Sequence, residues 1–198
     1  MRSLLEDAGM RLVVGLMMTA VAGFAHAGDY VFFDSFEIVP HPAPGAVIVT
    51  EIMSNPTNVP DTTGEWFELT NVSAQSVDLG GCIVSRAPTQ NTLPSLLLAP
   101  DASAVLARST DTLANGNVMA FATFTFTLTM SGTVDFICDG RLIDTMTWPG
   151  EIAGRSRSLD PRHFDAVSND NDANWCFSTT LYNATDAGTP RTANETCP

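Results

Sequence analysis

Polar and apolar residues alternate with a period of two in one short run after another from Val47 onward. The clearest run is FATFTFTLT, in which Phe124, Phe126 and Leu128 fall on one side and threonines fall on the other. This alternation is typical of β-strands that bury one face. No stretch after residue 28 combines an apolar period of 3.6 with helix caps. The pattern therefore predicts an all-β chain, and strands at roughly ten-residue intervals favour an immunoglobulin-like antiparallel β-sandwich.

The same pattern places the individual strands and turns. We expect strands in AVIVTEIM, EWFELT and VDLGGCIVS, and two short strands in LPSLLLAPDASAVLAR on either side of its Pro-Asp turn. In EWFELT, Phe67 and Leu69 are expected to face the core, and the acidic residues to serve turns and sheet edges. The Asp-Gly pair between TVDFIC and RLIDTMTW predicts a hairpin with a type I′ turn. The region after residue 150 lacks the pattern and is expected to be irregular.

The one long apolar run lies near the start of the chain, in MRLVVGLMMTAVAGFAHA. It has a basic residue at Arg11, an apolar stretch and a small-x-small end, so we expect a secretory signal peptide over residues 1–27. Acidic residues precede it, which leaves Met1 and Met10 as alternative starts. Residues 28–45 are expected to be an N-terminal segment and a proline-rich linker, and residues 46–198 the sandwich domain.

Export predicts a secreted or periplasmic protein and an oxidising environment for its four cysteines. Cys82 and Cys138 lie in strand-like runs, whereas Cys176 and Cys197 lie near the C-terminus. We favour disulfides between Cys82 and Cys138 and between Cys176 and Cys197, and the other two connectivities remain open.

The charge of the chain limits its partners. All nine basic residues are arginines, and the formal net charge is -13. Such a balance argues against nucleic acid and against an anionic membrane after signal cleavage. The expected partners are extracellular or cell-surface proteins or polysaccharides.

Six motifs in order resemble a known family. VIVTEIMSNP, GEWFELTN, VDLGGCIVS, TVDFICDGRLIDTMTW, GRSRSLDP and GTPRTAN look like the lamin-tail domain, in the variety found in secreted bacterial proteins. The resemblance covers about residues 46–194 and implies an immunoglobulin-like sandwich. In many bacterial relatives the domain is an accessory to a catalytic partner, so no activity is implied for this chain. The family usually has glycine where this chain has Arg191.

Three glutamates are the first candidates for chemistry. Glu65 and Glu68 have opposite parity and point to opposite faces of a regular strand, so they cannot form a catalytic pair. Glu51 and Glu68 become neighbours if their strands pair. We expect Glu68 to accept hydrogen bonds from backbone or from Asn71. The alternative is a calcium site made by Glu51, Glu68 and Asp61.

Two further groups of residues are candidates for ion binding. Asp170, Asp172 and Asn174 have the 1, 3, 5 spacing of a calcium loop, although the glycine and glutamate that this motif requires are absent. We favour a solvated turn, with a local calcium site as the alternative. Arg155 and Arg157 in GRSRS are a candidate anion site, although we favour their lying against acidic neighbours on the surface.

These observations favour a non-catalytic interaction module. The sandwich region has one histidine, which is too few for a catalytic triad or a histidine-rich metal site. We assign no catalytic residue and no cofactor, with calcium as the open alternative. The alternative function is a calcium-dependent accessory subunit of a secreted hydrolase.

Overall fold

The two-residue period builds two sheets that share one apolar core. The structure, a computed structural model, describes residues 39–198, so the predicted signal peptide, the start codon and residues 28–38 lie outside the described part. The strands are β1 (Val47–Met53), β2 (Trp66–Asn71), β3 (Val77–Asp78), β4 (Ile83–Arg86), β5 (Thr89–Thr92), β6 (Leu97–Leu98), β7 (Ser103–Ala107), β8 (Ala122–Thr123), β9 (Gly132–Cys138), β10 (Arg141–Trp148), β11 (Arg157–Leu159) and β12 (Trp175–Phe177). The helical elements are one-turn α1 (Asp61–Gly64) and two 3-10 turns, Pro161–His163 and Asp172–Asn174.

The arrangement of the strands is an immunoglobulin-like β-sandwich, as expected. A six-stranded sheet has the order β12-β11-β1-β2-β7-β8, and a four-stranded sheet has the order β10-β9-β4-β5. A two-stranded ribbon is formed by β3 and β6. Apolar side chains of both larger sheets meet in one cluster, to which β1 and β2 contribute Val49 and Phe67, and the smaller sheet Val84 and Phe136. The described strand pairs are antiparallel except β7 with β8.

A bulge at Thr50 decides which residues of β1 face this core. Val49 is opposite Leu69 and Ile52 is opposite Phe67, with a register shift between Val49 and Glu51. Because side chains of paired residues share a face, Val49 and Ile52 both enter the core although they are three residues apart. The same shift turns Glu51 to the opposite side, which we call the outer face of the larger sheet.

The turn and disulfide predictions are confirmed. Asp139 and Gly140 have φ angles of 51° and 70°, the two positive values that a type I′ turn requires, between β9 and β10. The disulfides join Cys82 to Cys138 and Cys176 to Cys197. The first lies in the core and the second fastens the end of the chain to β12.

The prediction that the acids of EWFELT serve a sheet edge is wrong. β2 lies between β1 and β7 in the larger sheet, so it is a central strand. Glu65 and Glu68 are 0% and 1% exposed. The physical reason is that both faces of β2 are covered, one by the smaller sheet and the other by later parts of the chain that include Val118 and Tyr182.

Three further predictions about strands are corrected. In FATFTFTLT burial alternates as expected, but only Ala122–Thr123 forms a strand. Backbone groups that would otherwise pair with a neighbouring strand bond to side chains instead, since Leu128 N donates to Glu65 and Arg108 donates to Phe126 O. The region after residue 150 is less irregular than expected, because it contributes β11 and β12 to the larger sheet. VDLGGCIVS is divided into β3 and β4 by a turn at Gly81, whose φ is 78°.

Residues 39–45 contact the sandwich, although the sequence suggests a linker there. The backbone N–H of Asp78 donates to Pro40 O, and that of Gly45 donates to Ile143 O. No helix in residues 39–198 has the length and apolar character needed to cross a membrane.

Removing the second disulfide is expected to destabilise the fold. Cys176 and Cys197 close a loop with a sequence separation of 21, and such a crosslink contributes about 3 kcal/mol by restricting the unfolded chain. We expect the double variant Cys176→Ser/Cys197→Ser to lose about this much unfolding free energy in urea. Thr196→Ser is the matched control at a neighbouring exposed site. An unchanged urea midpoint in the double variant would contradict the prediction.

Candidate functional site

The outer face of the larger sheet carries two carboxylates side by side. Glu51 and Glu68 are directly opposite each other on β1 and β2. Both are almost completely buried, with exposures of 0% and 1%. The bulge at Thr50 creates this pair, because it gives Glu51 the same orientation as Glu68. The two glutamates are therefore neighbours, as expected if their strands pair.

Donors from late in the chain surround Glu51. Its Oε1 accepts from the backbone N–H of Thr189 at 2.8 Å and from the hydroxyls of Ser156 and Ser178. Its Oε2 accepts from the Thr189 hydroxyl at 2.8 Å. Burial raises the pKa of Glu51 above its ordinary value, and these hydrogen bonds oppose the rise only in part.

Glu68 is held in a similar way by fewer donors. Its Oε1 accepts from the Thr50 hydroxyl at 3.0 Å, and its Oε2 accepts from the backbone N–H of Arg191 at 2.7 Å. Burial, followed by repulsion from the Glu51 carboxylate, raises the pKa of Glu68 to about 7. The expected backbone donor is therefore present, but Asn71 is not a donor. The Asn71 amide donates instead to Gln75 O and Leu98 O.

These contacts fasten the end of the chain over the outer face. We call residues 186–195 the C-terminal segment. Besides the bonds from Thr189 and Arg191 to the glutamates, Asn194 Nδ2 donates to Thr50 O and Leu159 O at 2.9 Å each. The segment thus bridges β1, β2 and β11, and closes the carboxylate pair off from solvent.

A third buried carboxylate, Glu65, holds the chain after β8. Its Oε2 accepts from the backbone N–H of Leu128 at 2.9 Å and lies 3.4 Å from Arg108 Nη1. Burial raises the pKa of Glu65 to about 7, although the bond from Leu128 and the arginine lower it. Glu65 and Glu68 lie on opposite faces of β2, in agreement with their opposite parity in the sequence.

Glu68 also lines a surface pocket of about 500 Å³, together with Asp101, Ser103, Phe164 and Arg191. We call it the polar pocket. A glycosidase requires two carboxylates that reach the substrate across a cleft. Here both oxygens of Glu68 accept bonds from the protein and only 1% of the residue is exposed. The geometry suits a structural clasp rather than acid–base chemistry on a substrate.

The residues of the first candidate calcium site are not all brought together. Asp61 is exposed in α1, and the carboxylate whose pKa its charge affects is Glu65 rather than Glu51 or Glu68. Within residues 39–198, no group of three or more histidine, cysteine, aspartate or glutamate side chains is placed to hold a metal ion.

The second candidate calcium site lies beside the candidate anion site. Asp172 forms an ion pair with Arg157, and Asn174 Nδ2 donates to Ser168 O at 2.8 Å. Asp170 is exposed. Arg155 donates to the backbone oxygens of Phe177 and Ser178. These arginines thus connect β11 to the chain around β12.

A second surface cavity adjoins the polar pocket. It has a volume of about 360 Å³, and we call it the apolar groove; it lies between residues 96–98 and residues 119–121, along β7. The polar pocket and the apolar groove share Ala102, Ser103 and Arg191. Sequence reasoning did not identify this groove. Its walls come from separate stretches of the chain, so no single sequence motif indicates it.

The comparison with protein families agrees with the architecture. The model described as Lamin Tail Domain matches residues 40–150, which is more than half of the chain. The chain belongs to the lamin tail domain family. Lamin tail domains are non-catalytic immunoglobulin-like domains. No curated protein matches the chain.

The match ends before the last two strands. The matched region contains Glu51, Glu65 and Glu68. The donors to Glu51 at Ser156, Ser178 and Thr189 lie beyond it, as does Arg191. The resemblance that the sequence suggested in GRSRSLDP and GTPRTAN is therefore not part of the family match.

The buried glutamates predict a specific dependence of stability on pH. The pKa of Glu68 is about 7 in the folded protein against an ordinary value of 4.5, so the folded state retains a proton that the unfolded chain releases. The contribution of protonated Glu68 to the unfolding free energy is complete below about pH 4.5 and is lost as the pH rises through about 7. This loss amounts to about 3 kcal/mol, and Glu68→Gln should remove it from the decline of stability with pH.

The measurement is the unfolding free energy in urea at pH values from 4.5 to 8. Asp111→Asn, which replaces an exposed carboxylate, is the control. A Glu68→Gln variant whose decline between pH 4.5 and 7 equals that of the original protein would contradict the prediction.

Proposed function

We propose that this lamin tail domain is an exported interaction module, without catalytic activity of its own, that binds an extracellular or cell-surface protein or polysaccharide. We also propose that the chain belongs to the variety of this family that is found in secreted bacterial proteins. The family match supports an interaction role, since lamin tail domains are typically protein-interaction modules.

The observation that carries the proposal is the use of the ionisable groups of the outer face. Glu51 and Glu68 resemble a catalytic dyad, because their carboxylates lie side by side on this face. Their oxygens accept hydrogen bonds from the C-terminal segment and from hydroxyls of the sheet. A catalytic carboxylate must contact the substrate, whereas these groups hold the fold. The apolar groove and the polar pocket remain open to a ligand.

The disulfides support an extracytoplasmic location. Cys82–Cys138 and Cys176–Cys197 pair all four cysteines. Disulfides of this kind persist in secreted and periplasmic proteins and are rare in reducing compartments. This agrees with the signal peptide that the sequence predicts.

Chemical crosslinking and affinity capture test the proposal. The purified protein is the bait, the surface fraction and culture fluid of producing cells are the sample, and calcium and EDTA arms run in parallel. We expect a reproducible partner in both arms that binds again when it is purified. A partner lost in EDTA would favour the calcium-dependent accessory subunit instead. Turnover of a polysaccharide or peptide substrate that disappears in Glu68→Gln would refute a non-catalytic role.

A further inference from the structure

The larger sheet has an open edge at Ser103, the first residue of β7. Along β7, the backbone N–H and C=O groups of successive residues point alternately toward β2 and toward the outward edge of the sheet. At this outward edge, Val105 O accepts from Phe121 N, and Ala107 O accepts from Phe124 N. The short strand β8 pairs with β7 at Leu106 and Ala107. Among residues 39–198, no strand pairs with Ser103 on this side. Its N–H and C=O are thus placed to bond an additional extended chain.

The apolar groove lies beside this open edge. Leu98 and Phe121 contribute to its walls, and Leu97 and Met119 are 61% and 63% exposed at its rim. Recognition by strand addition uses exposed apolar side chains next to unpaired backbone groups, such as those of Ser103, because backbone bonds give affinity and alternate side chains enter the groove.

One charged side chain, Arg191, lines the apolar groove. Its Nη1 contacts Met119 Sδ, and it forms no ion pair with a carboxylate in the described part of the chain. Two acids line the adjoining polar pocket, where Glu68 is buried and Asp101 is exposed. In a protein with net charge -13, the groove is therefore a local basic site that complements a partner's carboxylate.

The backbone of Arg191 makes this placement notable. Its φ is 62°, in the left-handed region that favours glycine. The structural task of the position is the N–H that donates to Glu68, and glycine would perform it without strain. An arginine held in a disfavoured conformation, with an exposed guanidinium, is an observation from which a functional role can be inferred.

We propose that the apolar groove binds an extended segment of a partner protein, which adds as a strand to β7. An apolar side chain of the segment enters the groove, and the carboxylate of a nearby Asp or Glu side chain pairs with Arg191. The polar pocket continues the groove past Arg191, so the segment need not end there. This inference rests on the proposed interaction function and specifies its partner.

The test uses a random peptide library displayed in two formats, one with internal sequences and one with free C-termini. The bait is the purified protein. We expect the internal format to enrich peptides in which an apolar residue lies near Asp or Glu. Enrichment only of free C-termini, or of sequences without an acidic residue, would overturn the proposal.

The decisive variant is Arg191→Gly, because binding and stability should respond differently. Glycine keeps the N–H that Glu68 accepts and adopts the positive φ without strain, so the Tm should be unchanged or higher. Affinity for an enriched peptide should fall about tenfold or more, the loss that removal of a charge-assisted hydrogen bond causes. Arg191→Lys should retain part of the affinity. Equal affinity of Arg191→Gly and the original protein would refute the role of the guanidinium.

Apolar variants locate the binding surface. Leu97→Asp should weaken peptide binding, whereas Leu142→Asp, at an exposed position on β10 in the other sheet, should not. The same variants used as baits in the capture experiment separate the two proposals. If the original protein captures a partner that Leu97→Asp and Arg191→Gly retain equally, the groove inference fails and the interaction function stands. If the original protein captures nothing, the interaction function itself fails.

Discussion

The burial of two adjacent carboxylates is the constraint on which the larger sheet depends. Glu51 and Glu68 lie opposite each other on central strands, and an uncompensated charge there would be destabilising by several kcal/mol. The fold compensates by raised pKa values and by hydrogen bonds. Most of the donors come from positions more than one hundred residues later in the chain: Ser156, Ser178, Thr189 and Arg191. The first strands of the domain are therefore completed only by its end.

This dependence gives the region beyond the family match a structural role. Residues 40–150 include the carboxylates, and the later region supplies β11, β12, the C-terminal segment and the second disulfide. Without that region, Trp66 would lose its contact with Tyr182 and Glu51 would lose its donors. Glu68 would lose the bond from Arg191 and keep the one from Thr50. Most of the donors that offset the buried charge therefore lie outside the residues that the family model matches.

The features that could be predicted from sequence are those with a local physical cause. The Asp139-Gly140 hairpin follows from turn stereochemistry, and the burial of Phe124, Phe126 and Leu128 follows from alternation. The missing ladder in that run could not be predicted, because it depends on donors and acceptors from distant side chains such as Glu65. Strands β11 and β12 have three residues each, too few for a period to be recognised.

The candidate site shows the same division between local and distant causes. Pairing of β1 with β2 was enough to predict that Glu51 and Glu68 would be neighbours. The bulge that places them on one face has no clear sequence signature at Thr50, and the donors come from irregular segments. Asp172 and Arg157 each appeared in a different candidate ion site, and the fold pairs them with each other.

At Arg191 the backbone and the side chain perform separable tasks. The backbone N–H holds Glu68, and any residue other than proline supplies that group. Stability at this position favours glycine, since φ is positive. The side chain bonds to neither Glu51 nor Glu68 and contacts Met119 in the apolar groove instead. Because the N–H alone holds Glu68, the side chain at this position can change while the carboxylate pair, and with it the larger sheet, stays intact.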